Sequence, residues 1–227
     1  MKRLKGFTLA EVLITITMIG VIAAMTLPVL NNSTQRQQMG PALMKAINVV
    51  EATNKALMQE RGVRHLGEIT VNSFNYAGII FEETLNASPI ELGDYTGVVG
   101  PNRDLAILER GFNTADNITY FAPRVAAEVA SNPGRSSFGS FFTLLVDVNG
   151  TDKGPNIVGR DLFVLNIDFS GQVFAKGSQA WSNYIGGDNP PATWVTTCTD
   201  LTNGVNQDAS NCAGSIVDNA GRVTYRY

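Results

Sequence analysis

One histidine, His65, and two cysteines, Cys198 and Cys212, are all the imidazole and thiol in these 227 residues. Both scarcities exclude chemistry. Histidine is the side chain that ordinarily trades protons near neutral pH, and His65 follows Arg64 beside the end of a helical stretch, where it reads as a surface residue. The C-x13-C spacing matches no zinc motif, and His65 is far from both cysteines. Basic residues are few as well: 17 Lys and Arg against 20 Asp and Glu give a net charge of −3. Nonspecific nucleic-acid binding needs a basic surface, so no such footprint is present. No Gly-rich phosphate loop follows a strand pattern. Gly134-Arg135-Ser136-Ser137-Phe138 misses the nucleophile elbow because Phe138 stands where glycine is required. The chain is expected not to be an enzyme and, calcium aside, to use no cofactor.

Charge is also missing from one long stretch. Phe7 to Leu30 is a run of 24 mostly apolar residues whose one ionisable side chain is Glu11. As a helix it would be about 36 Å long, enough to cross a hydrocarbon core of about 30 Å. Lys2, Arg3 and Lys5 precede it and hold the N-terminus on the cytoplasmic side. A carboxylate inside a membrane-length segment is costly and marks a functional position that needs a partner. If the chain is cut after Gly6, the new amine of Phe7 lies one helical turn from Glu11, or faces it from a neighbouring subunit. The competing reading is a secretory signal cleaved at Ile22-Ala23-Ala24, which releases a soluble binding protein starting near Met25.

Gly6-Phe7-Thr8-Leu9-Ala10-Glu11, followed by Val12-Leu13-Ile14, resembles the cleavage and methylation signature of type IV pilins and type II secretion pseudopilins. Glu11 is fifth counted from Phe7, and Pro28 is twenty-second, where many members carry proline. The resemblance covers about the first 30 residues. It implies that prepilin peptidase cuts between Gly6 and Phe7 and methylates the Phe7 amine. It implies a filament subunit that leaves the inner membrane and joins other pilin subunits through assembly machinery. Glu11 would then pair with the Phe7 amine of an adjacent subunit and set the stagger between helices. A surface pilus, a minor pseudopilin of a secretion system and a DNA-uptake pilus all remain open.

The division that follows is a leader at 1–6, a transmembrane helix at 7–30, an amphipathic continuation at 31–61 and an external head at 62–227. Just under 200 residues beyond the anchor are enough for one domain with a core. Leu43, Ile47, Val50 and Leu57 recur at helical spacing, with Lys45, Glu51, Lys55 and Gln59 elsewhere on the wheel. Gly62 fits the end of this helix. Pro28 and Gly40-Pro41 are expected to kink it or melt it locally, or to divide it into two helices joined near residues 31–41. Helical pieces are expected at Phe74–Leu85 and Leu105–Phe112, with loops at Gly93, Gly97 and Gly100-Pro101. Strands are expected at 118–122, 141–148 and 162–169, with a turn at Ser170-Gly171 and a return over 172–176. Phe163, Leu165, Ile167 and Phe169 fall on one face of theirs. Val125–Ala130 reads as a helical turn, Ser182–Pro191 as an exposed loop, and Val223, Tyr225 and Tyr227 as a last strand. The fold class is α+β: a long helix packed on an antiparallel sheet, which is also the type IV pilin head.

An even cysteine count in an exported chain favours a Cys198–Cys212 disulfide. Trp181, Tyr184 and Trp194 would either form a binding surface or pack their loop onto the head. Asp147, Asn149 and Thr151 have the spacing of the first calcium ligands of an EF-hand, and Asp161 is a further oxygen donor. Asp152, counted with Asp147 and Asn149 as a calcium candidate, replaces the glycine of that motif, and Val158 replaces its final glutamate. The competing reading is a turn at Asn149-Gly150 capped by Asp147 and Asp152.

Overall fold

The computed structural model describes residues 8–70, 73–90, 108–123, 141–153, 156–186, 198 and 211–225. Two compact units divide the chain, Met1–Gln38 and Met39–Tyr227. Helix α1 runs over Leu9–Arg61, 53 residues. Neither Pro28 nor Gly40-Pro41 produces a melted stretch, and two helices joined near 31–41 do not form. A proline removes one ladder bond, which helical neighbours on both sides can absorb.

In the second unit α1 buries Leu43, Ala46, Ile47, Val50 and Leu57, while Lys45, Lys55 and Gln59 are exposed. Gly62, at φ +65°, ends the helix. Its N–H donates to the carbonyl of Gln59, and that of Val63 donates to the carbonyl of Met58. This is the paired-bond stop that a left-handed residue makes possible. A short 3-10 turn, Leu66–Glu68, and α2, Ser73–Ala77, follow; α2 continues as a π-helical segment, Gly78–Thr84.

Six strands form an antiparallel meander in chain order: β1 Ser88–Ile90, β2 Leu108–Asn113, β3 Thr119–Pro123, β4 Phe141–Asp147, β5 Leu162–Asp168 and β6 Val173–Ala175. Among the described residues, helices α3, Gln179–Gly186, and α4, Cys212–Asp218, follow the sheet. Helical segments and an antiparallel sheet together make the fold α+β.

Buried polar side chains tie α1 to the sheet. Asn54 Nδ2 donates to the Gly171 carbonyl at 3.0 Å, and Tyr76 Oη donates to Asn54 Oδ1 at 2.7 Å. The backbone N–H of Val173 donates to Glu51 Oε1 at 3.1 Å. The Tyr76 ring stacks on Phe142 at 4.5 Å, and Phe81 stacks on Tyr120 at 4.4 Å. Both contacts lie on the face that carries Phe163, Leu165 and Ile167, through the pairs Phe142↔Ile167 and Tyr120↔Val146↔Phe163.

Three further expectations are corrected. Leu105–Phe112 does not form a helix over its described part, which belongs to strand β2. Gly111 sits there because a Cβ would run into the Ile90 side chain on the neighbouring strand. All seven residues of β5 are buried, so both of its faces are covered. Ser182 is not in an exposed loop: it is fully buried on α3, and Trp181 packs on Phe174 at 5.8 Å. Val223 and Tyr225 form no strand; Tyr225 instead donates its hydroxyl to the Gly159 carbonyl. Val125–Ala130, the loops at Gly93, Gly97 and Gly100-Pro101, Trp194 and Tyr227 lie outside the described residues.

Candidate functional site: the N-terminal segment and the loop after β4

Thr8 precedes α1 in the N-cap position. Its Oγ1 accepts the N–H of Glu11 at 3.3 Å. In return, Glu11 Oε2 accepts the Thr8 N–H at 2.9 Å and the Thr8 hydroxyl at 2.8 Å. This reciprocal arrangement is a capping box, in which a threonine and a glutamate three residues on satisfy each other's orphan amides. The Thr8-x-x-Glu11 spacing is the sequence signal for it. A carboxylate offers about four acceptor positions, so these bonds leave capacity for an amine. Gly6 and Phe7 lie outside the described residues.

The Leu9–Thr26 stretch suits an apolar medium. Leu9–Thr26 is long and apolar enough to cross a membrane. Leu9, Leu13, Ile16, Ile19, Ile22 and Met25 are all exposed. The threonine hydroxyls turn inward: Thr15 donates to the Val12 carbonyl at 2.9 Å, Thr26 to that of Ile22 at 3.0 Å, and Thr17 to that of Leu13. Internal satisfaction of polar groups is what a hydrocarbon environment demands.

In the second unit, the loop after β4 is organised by two buried aspartates. Asp147 Oδ1 accepts the N–H groups of Asn149 and Gly150, each at 3.1 Å, with Gly150 at φ +85°. The carboxylate of Asp161 accepts the N–H of Asn156 at 3.0 Å and that of Ile157 at 2.6 Å. Burial pushes the Asp161 carboxyl above its ordinary range, against the pull of these amides and of Arg160. Asn149 lies in the same loop, whereas the Asp152 side chain is exposed. Among the described residues, no three His, Cys, Asp or Glu side chains gather as a metal-ligand group.

Cys198 and Cys212 form a disulfide that anchors Cys198 to the start of α4. His65 Nδ1 lies 3.3 Å from Glu68 Oε1, and both side chains are largely exposed.

Residues 1–27 match the family model of the prokaryotic N-terminal methylation motif, the signature of type IV pilins and pseudopilins. The motif is that of a pilin- or pseudopilin-like substrate of prepilin peptidase. No curated protein and no solved structure matches the chain.

Proposed function

We propose that the protein is a structural subunit of a type IV pilus-like filament. It would be cut between Gly6 and Phe7, methylated on Phe7 and assembled through α1. The observation that carries this reading is the methylation motif joined to a membrane-length apolar helix with Glu11 in its first turn. Lys2, Arg3 and Lys5 favour a cytoplasmic N-terminus, with the head outside. The disulfide fits an oxidising compartment on that outer side. No catalytic step is part of this role.

The capping box refines what Glu11 would do. Thr8 satisfies hydrogen bonds of the carboxylate but leaves its charge uncompensated. An ionised carboxylate at membrane depth carries a penalty of about 3 kcal/mol on insertion scales. The cationic amine of Phe7 on an adjacent subunit would remove that charge and add a charge-assisted bond. Packing between apolar helices supplies the remaining attraction, and the Glu11 pair sets their register.

The first test is the intact mass and N-terminal sequence of the protein from its native membrane. The expected chain starts at N-methylated Phe7. A start near Met25 or an uncut Met1 would overturn the reading. In a processed background, Glu11→Ala is expected to reduce filament incorporation at least tenfold while the head stays folded. Undiminished incorporation would remove the pairing role.

A further inference from the structure

Asparagine followed by glycine is prone to ring closure. The glycine nitrogen attacks the asparagine side-chain carbonyl carbon, and no Cβ hinders its approach. The sequence contains two such pairs, Asn149-Gly150 and Asn203-Gly204. The first is built into the loop after β4, and that loop uses both residues. Gly150 stands at φ +85°, and a Cβ there would run into the side chain and carbonyl oxygen of Asn117. Asn117 Nδ2 donates to the Asn149 carbonyl at 3.0 Å and so docks the β2–β3 turn on this loop. Asn149 Nδ2 donates in turn to the Lys153 carbonyl at 2.8 Å.

The folded loop opposes ring closure at each atom the reaction uses. The Gly150 nitrogen must lose its proton, and Asp147 Oδ1 accepts that N–H at 3.1 Å. A bond to a carboxylate stabilises the protonated amide, and the adjacent negative charge disfavours its anion. The leaving nitrogen is Asn149 Nδ2, and its bond to the Lys153 carbonyl pins the side chain. Attack would place negative charge on Asn149 Oδ1, which is buried and has no hydrogen-bond partner among the described residues. An oxyanion that develops without donors is not stabilised.

We propose that Asn149 is a modification site gated by the fold: inert while the β2–β3 turn is docked on the loop, and converted when the loop opens. In the opened chain the Gly150 nitrogen bonds to Asn149 Cγ, and the Cγ–Nδ2 bond breaks. The proton of the Gly150 nitrogen leaves with the amide as ammonia, and a cyclic succinimide remains. Water then opens either ring carbonyl and gives aspartate or isoaspartate at position 149. A carboxylate there cannot donate to Lys153, and it adds negative charge in the same turn as buried Asp147. Isoaspartate also lengthens the backbone between the Asn149 and Gly150 N–H groups that Asp147 holds together. A transient opening is thereby made permanent. This inference does not depend on the filament reading.

The test incubates the full-length protein in detergent at one mildly alkaline pH, with and without denaturing urea. Peptide mass spectrometry and an isoaspartate assay then follow both asparagines. If only the open loop reacts, the folded rate is the urea rate multiplied by the open fraction, so Asn149 should convert at least about tenfold more slowly when folded. In urea it should convert at a rate similar to that of Asn203. Asn117 stands at φ +61°, so Asn117→Gly keeps the left-handed backbone and removes the docking bond. It should raise the folded rate about two- to tenfold, the effect of one ordinary hydrogen bond on an opening equilibrium, and leave the urea rate unchanged. Asn149→Asp, the ordinary product, should melt below the parent. Equal Asn149 rates with and without urea, or no conversion in urea, would overturn the gate. An unchanged folded rate in Asn117→Gly would remove the docked turn as its cause. An Asn149→Asp protein that melts with the parent would show that the converted loop closes again, against the proposal.

Discussion

A Cβ added to Gly40 would run into the backbone carbonyl of Gly221, which itself sits at φ +82°. Backbone cannot yield as the end of a flexible side chain can. Gly40→Ala should gain up to about 1 kcal/mol of helix propensity and lose about 1–3 kcal/mol to overpacking. The expected outcome is a net fall in stability, read as a lower urea midpoint for the full-length protein. Gly20 has no atom within 4 Å of its Cβ position, so Gly20→Ala should not lower that midpoint. The contrast separates a glycine required by close approach from one that the surrounding chain would tolerate as alanine.

Between elements, Lys45 of α1 meets Asp116 of the β2–β3 turn at 2.7 Å. Desolvation pushes the Asp116 carboxyl up, but bonds from Lys45 and Thr114, backbone N–H and the lysine charge together hold it below its ordinary value. A carboxyl with a depressed folded pKa contributes stability that is present above its unfolded value, about 3.9, and lost as pH falls through the folded one. Asp116→Asn should therefore cost stability at pH 7 and cost progressively less on acidification below about pH 4. Partial exposure limits the cost at neutral pH to under about 1 kcal/mol. Denaturant melts of both proteins from pH 7 to pH 2.5 would show the two curves converging. Convergence on raising the pH instead would refute the assignment.

At the scale of the whole head, the Cys198–Cys212 crosslink spans a sequence separation of 14. On the chain-entropy model a loop of this size contributes roughly 3 kcal/mol by restricting the unfolded chain. Cys212 is fully buried and opens α4, whose Ala213 and Ile216 are also in the core. The double substitution Cys198→Ser/Cys212→Ser should lower Tm by about 6–12 °C, with the parent under reducing agent behaving alike. An unchanged Tm in both would mean that the unfolded chain is not restrained by this bond.

How much of this was legible in the residues depended on where the deciding forces act. The membrane-length run, the Gly6–Glu11 motif, the helical stripe from Leu43 to Leu57 and the stop at Gly62 are local patterns, and periodicity or backbone geometry exposes them directly. The strands at Ile118–Ala122, Phe141–Val148 and Leu162–Phe169 likewise emerged from β-forming runs bounded by turn residues. Strand β2 did not, because its conformation comes from pairing with β1 and β3 and from Gly111 lying against Ile90. The burial of Trp181 and Ser182 did not either, since α3 is held by contact with Phe174 rather than by its own composition. The docking of Asn117 on Asn149 exists only once β3 and β4 are in register. The sequence by itself determined the anchor, the processing motif and the α+β plan, because those rest on hydropathy and short-range spacing. Tertiary structure alone decided which loops dock on each other and which glycines must stay glycine, because both depend on segments brought into contact from far along the chain.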